Sequence, residues 1–319
     1  MKIDYNITPE DLQAKLKRFW DLSRQKIDLI ATEFDTSRGS PVFTMKGKYT
    51  TRSWTEWTQG FQYGSQILQF DATGDDDQLE QGKENTVRQM AGHVSDFGVH
   101  DHGFNNVSTY GNLLRLMNEG KIEENTDERN FYELALKVSG AVQARRWTDI
   151  ADGGGYIYSF NGPHSLFVDT VRSLRILAMS HRLGHHLADE KGAEVSLLER
   201  LIKHARATAD YSVYYGEGRD SYDIRGRTVH ESIFNVESGV FRCPSTQQGY
   251  SPFSTWTRGL AWAMAGFPEQ LEFIDTLKVS EFEPFGGLTE VAEFMLKAAI
   301  ATCDFYIENT AEDGIPYWD

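Results

Sequence analysis

The sequence predicts an all-α fold assembled from repeated helical hairpins, and three observations carry that expectation. Apolar residues recur at helical spacing through most of the chain, strand-like alternation is scarce, and the helical segments are separated by loops rich in glycine and aromatic residues. The helical segments fall at roughly 9–34, 54–73, 80–94, 105–119, 128–145, 164–187, 192–213, 254–276 and 288–308.

Local signals punctuate the series. Thr8-Pro9-Glu10 reads as an N-cap followed by proline at the first helical position and an acidic first turn. Thr73-Gly74-Asp75 closes a long helix. The principal loops are Asp96–Asn106, Trp147–Pro163 and Tyr214–Tyr250, and loops on a rigid scaffold are common carriers of catalytic groups. Within the last of these, Thr228–Phe241 mixes β-branched and aromatic residues around Glu237-Ser238-Gly239 and predicts a short hairpin. No sequence repeat, low-complexity segment or linker marks a boundary, so residues 1–319 are read as one domain.

Composition narrows the function classes. Of 319 residues, 40% are hydrophobic and only 8 are proline, which describes a folded chain with a sizeable core. The formal charge of -15, without a basic stripe, argues against a nucleic-acid partner. The same charge repels anions at long range, so an anionic ligand would need a local cation at its site. Two cysteines, Cys243 and Cys303, are too few for a disulfide framework, and no paired motif suggests zinc. Neither cofactor nor metal is expected. Residues Met1–Glu10 show no export signal and no apolar run reaches membrane-spanning length, so a cytoplasmic protein without a membrane partner is expected.

Three segments carry candidate chemistry. In Val99-His100-Asp101-His102-Gly103-Phe104 an acid lies between two histidines just before a helix; Asp101 is either an N-cap or a functional carboxylate, and His-x-His is a weak metal signal. In Ser165–Leu174, Asp169 sits among apolar residues that continue as a helix through Leu177. It is either an exposed aspartate paired with Arg172, or a buried acid whose pKa desolvation raises towards neutrality.

The third segment runs from Gln248 to Trp262. Ser254 or Thr255 is expected to cap its helix, with Arg258 and Trp262 four apart on one face. A guanidinium beside an indole suits a carboxylated sugar, the one gripping the carboxylate and the other packing on the ring, although a plain cation–π pair reads the same way. Trp54, Trp57, Trp147 and Trp256 add aromatic surface next to the loops.

Together, Trp57-Thr58-Gln59-Gly60-Phe61, His100–Phe104, Asp169-Thr170, Gln248-Gly249-Tyr250, Ser254–Trp262 and Asp313–Asp319 resemble the unsaturated glucuronyl hydrolases, glycoside hydrolase family 88, in the family's order. The resemblance implies an (α/α)6 barrel. It also implies an oligosaccharide substrate ending in a uronic acid with a C4=C5 double bond, which is hydrated rather than attacked at the anomeric carbon as in ordinary glycosidases. By the same resemblance Asp169 is the general acid and base and Asp101 its acidic partner. Arg258 is the cation near the substrate, and Trp57, Trp147, Trp262, His100, His230 and Gln248 are substrate-binding residues.

The family pattern continues past Pro316-Tyr317-Trp318-Asp319 with another helix pair, so the expectation is a barrel short of its last hairpin. Loops Trp147–Pro163 and Tyr214–His230 depart from the pattern and leave the parent polymer open. The competing readings are an unsaturated rhamnogalacturonyl hydrolase, a hydrolase of saturated glucuronides, and a helical module that binds glycans without turnover.

Overall fold

A computed structural model describes residues 1–52 and 56–319; Trp54 lies outside them. The chain forms two compact units. One comprises Ile3–Asp96 and Asp101–Ser139; the other comprises Met1–Lys2, Phe97–His100 and Gly140–Asp319.

In the first unit, α1 (Pro9–Glu33) starts where the sequence places it. Thr8 accepts from the Asp11 backbone N–H while the Asp11 carboxylate accepts from that of Thr8, a reciprocal cap. A small hairpin, β1 (Phe43–Met45) and β2 (Lys48–Thr50), precedes α2 (Gln59–Thr73), which ends at left-handed Gly74 (φ +72°). Asp75 then caps α3 (Asp76–Gln89), and the single turn α4 (Ala91–Val94) follows.

Next come α5 (His102–Asn106), a π-helical turn at Val107–Gly111, and α6 (Asn112–Asn118), before α7 (Thr126–Arg145) begins. Helix α2 presses closely on α5 and the π turn because a Cβ on Gly60 would collide with the Asn105 backbone and one on Gly64 with the Ser108 carbonyl.

The second unit opens with β3 (Trp147–Asp149) and β4 (Gly155–Ile157), an antiparallel pair. Then follow β5 (Ser165–Phe167), α8 (Thr170–Ser173), α9 (Arg175–Arg182), the short pair β6 (Leu187–Ala188) and β7 (Glu194–Val195), and α10 (Leu197–Ser212). The expected hairpin is present: β8 (Glu231–Phe234) pairs with β9 (Phe241–Ser245) across a turn containing left-handed Gly239 (φ +68°), and β5 adds to the free edge of β8. Helices α11 (Thr257–Ile274) and α12 (Leu288–Asn309) complete the unit.

Two local expectations are corrected. The segment read as one helix at 164–187 begins as strand β5, and its helix is broken at Leu174 into α8 and α9. Leu166, Phe167 and Val168 are fully buried, and a continuous apolar run of that length does not distinguish a buried strand from a buried helix. Helix α11 is preceded by Trp256 rather than capped by Ser254 or Thr255. Its first-turn amide, on Thr257, instead donates to the Trp318 carbonyl at 3.0 Å, and Ser254 is held in a turn with Ser251.

Candidate active site

Asp169 stands at the junction of β5 and α8 in the second unit, 7% exposed. The sequence left Arg172 open as its partner, but that guanidinium pairs with Glu269 at 2.7 Å. The carboxyl of Asp169 faces imidazoles instead: His100 Nε2 lies 3.8 Å from Oδ1, beyond hydrogen-bond length but well within electrostatic reach. Burial pushes this carboxyl up, yet His100 and His230 outweigh burial and hold it below the usual carboxylate range. The direction is thus opposite to the expected rise towards neutrality.

His100 is packed by Phe160, stacked at 6.1 Å, and by Phe167, edge-on at 5.5 Å. His230 lies between Phe167 and Trp256, with ring centroids 4.3 and 4.6 Å away. Its Nδ1 accepts from the backbone amides of Gln247 (3.0 Å) and Gln248 (3.3 Å). A backbone N–H only donates, so Nδ1 must carry the lone pair and the proton sits on Nε2. Burial lowers the pKa of His230, which keeps this donor uncharged.

Gln248 then links to Arg258, whose guanidinium donates to its side-chain carbonyl and stacks on the Trp256 ring at 4.6 Å. Trp256 thus lies beneath this cation, and Trp262, which the sequence placed with Arg258, is half-buried one turn further along α11. One connected surface results, running from Asp169 and His100 through Phe167 to His230 and Trp256, and on to Arg258 and Gln248.

Trp147 has a different setting. Its indole N–H donates to Asp149 at 2.7 Å, the Arg200 guanidinium stacks on its ring at 3.9 Å, and a side chain at Gly155 would strike the ring.

In the first unit Asp101 is buried, 6% exposed, immediately before α5. Its side chain caps no first-turn amide of that helix, which removes the capping reading; its backbone carbonyl accepts from Phe104 and Asn105. His102 has both ring nitrogens engaged, Nδ1 with Ser139 Oγ at 2.8 Å and Nε2 with the Asp96 carbonyl at 2.9 Å. Trp57 meets Phe61 and Phe104 at 6.1 and 6.0 Å. Among the described residues, no three His, Cys, Asp or Glu side chains group as metal ligands.

Sequence reasoning missed two members of the second unit. Glu231, 3% exposed, accepts from Asn161 (2.9 Å) and Ser165 (2.5 Å). His204 lies wholly buried on α10, where its one sequence signal is a histidine on the same face as Leu201, Ala205 and Thr208.

The site therefore gathers a buried carboxylate, two imidazoles, an indole and a guanidinium, and solved structures identify the fold that carries them. The chain superposes with a TM-score of 0.72 and 17% identity on an unsaturated glucuronyl hydrolase specific for heparin, covering 95% of this chain and 71% of that one. For the unsaturated glucuronyl hydrolase of Bacillus sp. GL1 the values are 0.68 and 20%, covering 96% and 70%. The fold is accordingly the all-α, (α/α)6 type of these enzymes.

Among curated sequences, an unsaturated glucuronyl hydrolase of Formosa agariphila is 25% identical over 272 residues, 83% of this chain and 56% of the relative. That of Bacillus sp. strain GL1 is 27% identical over 282 residues, 85% and 62% of the two chains. An unsaturated chondroitin disaccharide hydrolase of Streptococcus pyogenes serotype M1 is 23% identical, covering 98% of this chain and 69% of the relative. No family model matches the chain. The chain is thus similar to unsaturated glucuronyl hydrolases over most of its own length, and it spans 56% of the length of the Formosa relative.

Proposed function

We propose that this protein removes a C4=C5 unsaturated uronic acid from the non-reducing end of lyase-generated oligosaccharides by hydrating the enol ether. The observation that carries the reading is the buried Asp169 carboxyl beside His100, on the same aromatic surface as the Arg258–Gln248 pair. Arg258 is the local cation that a chain of net charge -15 needs in order to hold a uronate.

In this reading Asp169 gives its proton to C4, and water deprotonated by Asp169 adds its oxygen to C5. The hemiketal so formed opens, and the remaining sugar leaves. His100 and His230 favour the ionised form of Asp169, and a bound uronate adds a negative charge alongside it, which favours the neutral acid and loads the proton for transfer. His230 contributes a fixed, uncharged Nε2–H donor to the sugar. Asp101 is assigned the supporting acidic role, and Trp57, Trp147, Trp262, His100 and Gln248 the sugar contacts, on the strength of the family resemblance.

The test is the absorbance of the conjugated double bond during incubation with lyase products of ulvan, alginate, chondroitin and pectin. Loss of that absorbance with at least one product, abolished in Asp169→Asn, supports the reading. Turnover of saturated glucuronides alone would refute it, and so would an Asp169→Asn variant as fast as the parent.

A further inference from the structure

His204 is the one wholly buried histidine of the second unit to which the hydration reading gives no task. It lies on α10, 0% exposed, and its Nδ1 accepts the Ile157 backbone N–H at 2.9 Å. As at His230, that bond dictates the tautomer: Nδ1 holds the lone pair and Nε2 the proton. The Nε2–H is itself buried and donates to no group among the described residues, as is also true of His230 Nε2. Unsatisfied donors of this kind are rare in folded proteins and concentrate where function requires them.

The packing gives this donor its address. Helix α10 lies against β4, which supplies Ile157, and against β5 and α8, the two elements that bracket Asp169. The charges that His204 feels are those of His100 and Asp169. Asp169 Oδ1 is in turn a buried acceptor without a hydrogen bond.

We propose that His204 is a positioning residue of the Asp169 site: locked by Ile157 as its Nε2–H tautomer on the helix packed against β5 and α8, it holds a fixed, uncharged dipole within electrostatic reach of the His100–Asp169 pair. A second imidazolium there would compete with His100 for the carboxylate. A backbone-locked neutral ring supplies a dipole without a second charge. The groups acting on this assembly are His100 and His230 on Asp169, His100 and Asp169 on His204, and Asp169, Glu231, His100 and Arg258 on His230.

The proposal rests on the hydration reading for its kinetic arm and is separable from it by spectroscopy. Asparagine at 204 keeps an acceptor where Nδ1 stands, and glutamine keeps a donor near Nε2. His204→Asn should fold with the parent's Tm, lose about threefold in kcat, and shift the Asp169 limb of its pH profile upward by about half a unit. His204→Gln should restore that limb while melting lower. A structural role confined to Ile157 predicts the opposite pattern, with His204→Asn indistinguishable from the parent in kcat, KM and pH profile, and that result would overturn the proposal.

Nitrogen-15 NMR of the intact chain covers the case in which either variant fails to fold. The His204 Nε2–H resonance should move on Asp169→Asn, and an unmoved resonance also overturns the proposal. A parent that turns over no unsaturated uronide would sink the hydration reading while leaving this arm readable.

Discussion

Two kinds of buried histidine occur in this protein. His102 is 1% exposed and spends both ring nitrogens on partners, Ser139 and the Asp96 carbonyl. His230 and His204 are equally buried, yet each gives one nitrogen to backbone amides and keeps the other, protonated, without a partner among the described residues. A satisfied ring fixes a fold, whereas a ring pinned on one side and unsatisfied on the other holds a polar atom ready for something else. Burial alone therefore does not separate structural from functional histidines; the account of their hydrogen bonds does.

The contrast can be broken at several points. The largest effect is expected at the acid these donors surround: Asp169→Asn should lose on the order of 10³-fold in kcat, measured by double-bond absorbance under saturating substrate. Arg258→Lys keeps the charge but not the planar fork, and should raise KM about tenfold with kcat nearly unchanged in initial-rate kinetics.

His102→Ala removes the ring's bonds to Ser139, which keeps Asn106 as a partner, and to the half-buried Asp96 carbonyl, and should cost about 1–3 kcal/mol in urea unfolding. His230→Ala should lose more in turnover than in stability. Were the two histidine variants to show the same profile, the distinction between the two kinds of ring would fail.

The smallest effect is a slope. Burial lowers the His204 pKa from an ordinary 6.5 to about 3, so the unfolded chain binds a proton in that interval that the folded chain refuses. Stability from this residue is complete above pH 6.5, falls by at most ~1.4 kcal/mol per pH unit as pH drops from about 6.5 to about 3, and levels off below. Denaturant unfolding of His204→Asn across that window should show the slope reduced.

The helical class, the cap at Thr8, the stop at Gly74 and the hairpin around Gly239 were legible because each depends on local chemistry or short-range periodicity. Asp169, His100, Gln248 and Arg258 lie in the ordered motifs and His230 entered by alignment with a family histidine; the structure places the five along one connected set of contacts. Partner choice was not legible. Spacing suggested Arg172 for Asp169, whereas Arg172 pairs with Glu269, and it gave no sign that Arg258 also stacks on Trp256. An i+3 offset presumes a continuous helix, and Asp169 stands just before the first turn of α8 rather than within it.

The direction of the Asp169 shift escaped for a related reason, since His100 and His230 come from distant segments. His204 escaped because a histidine on an apolar helix face reads as core until its unpaired nitrogen is seen.

The central claim is that a proton passes to C4 of an unsaturated uronyl ring, and one measurement addresses it most directly. The intact protein is incubated with an unsaturated disaccharide in deuterium oxide and the products are followed by NMR. Hydration predicts that the vinylic signal disappears and one deuterium appears at C4 as the second sugar is released. Release of that sugar with the double bond intact, and no deuterium at C4, would contradict it.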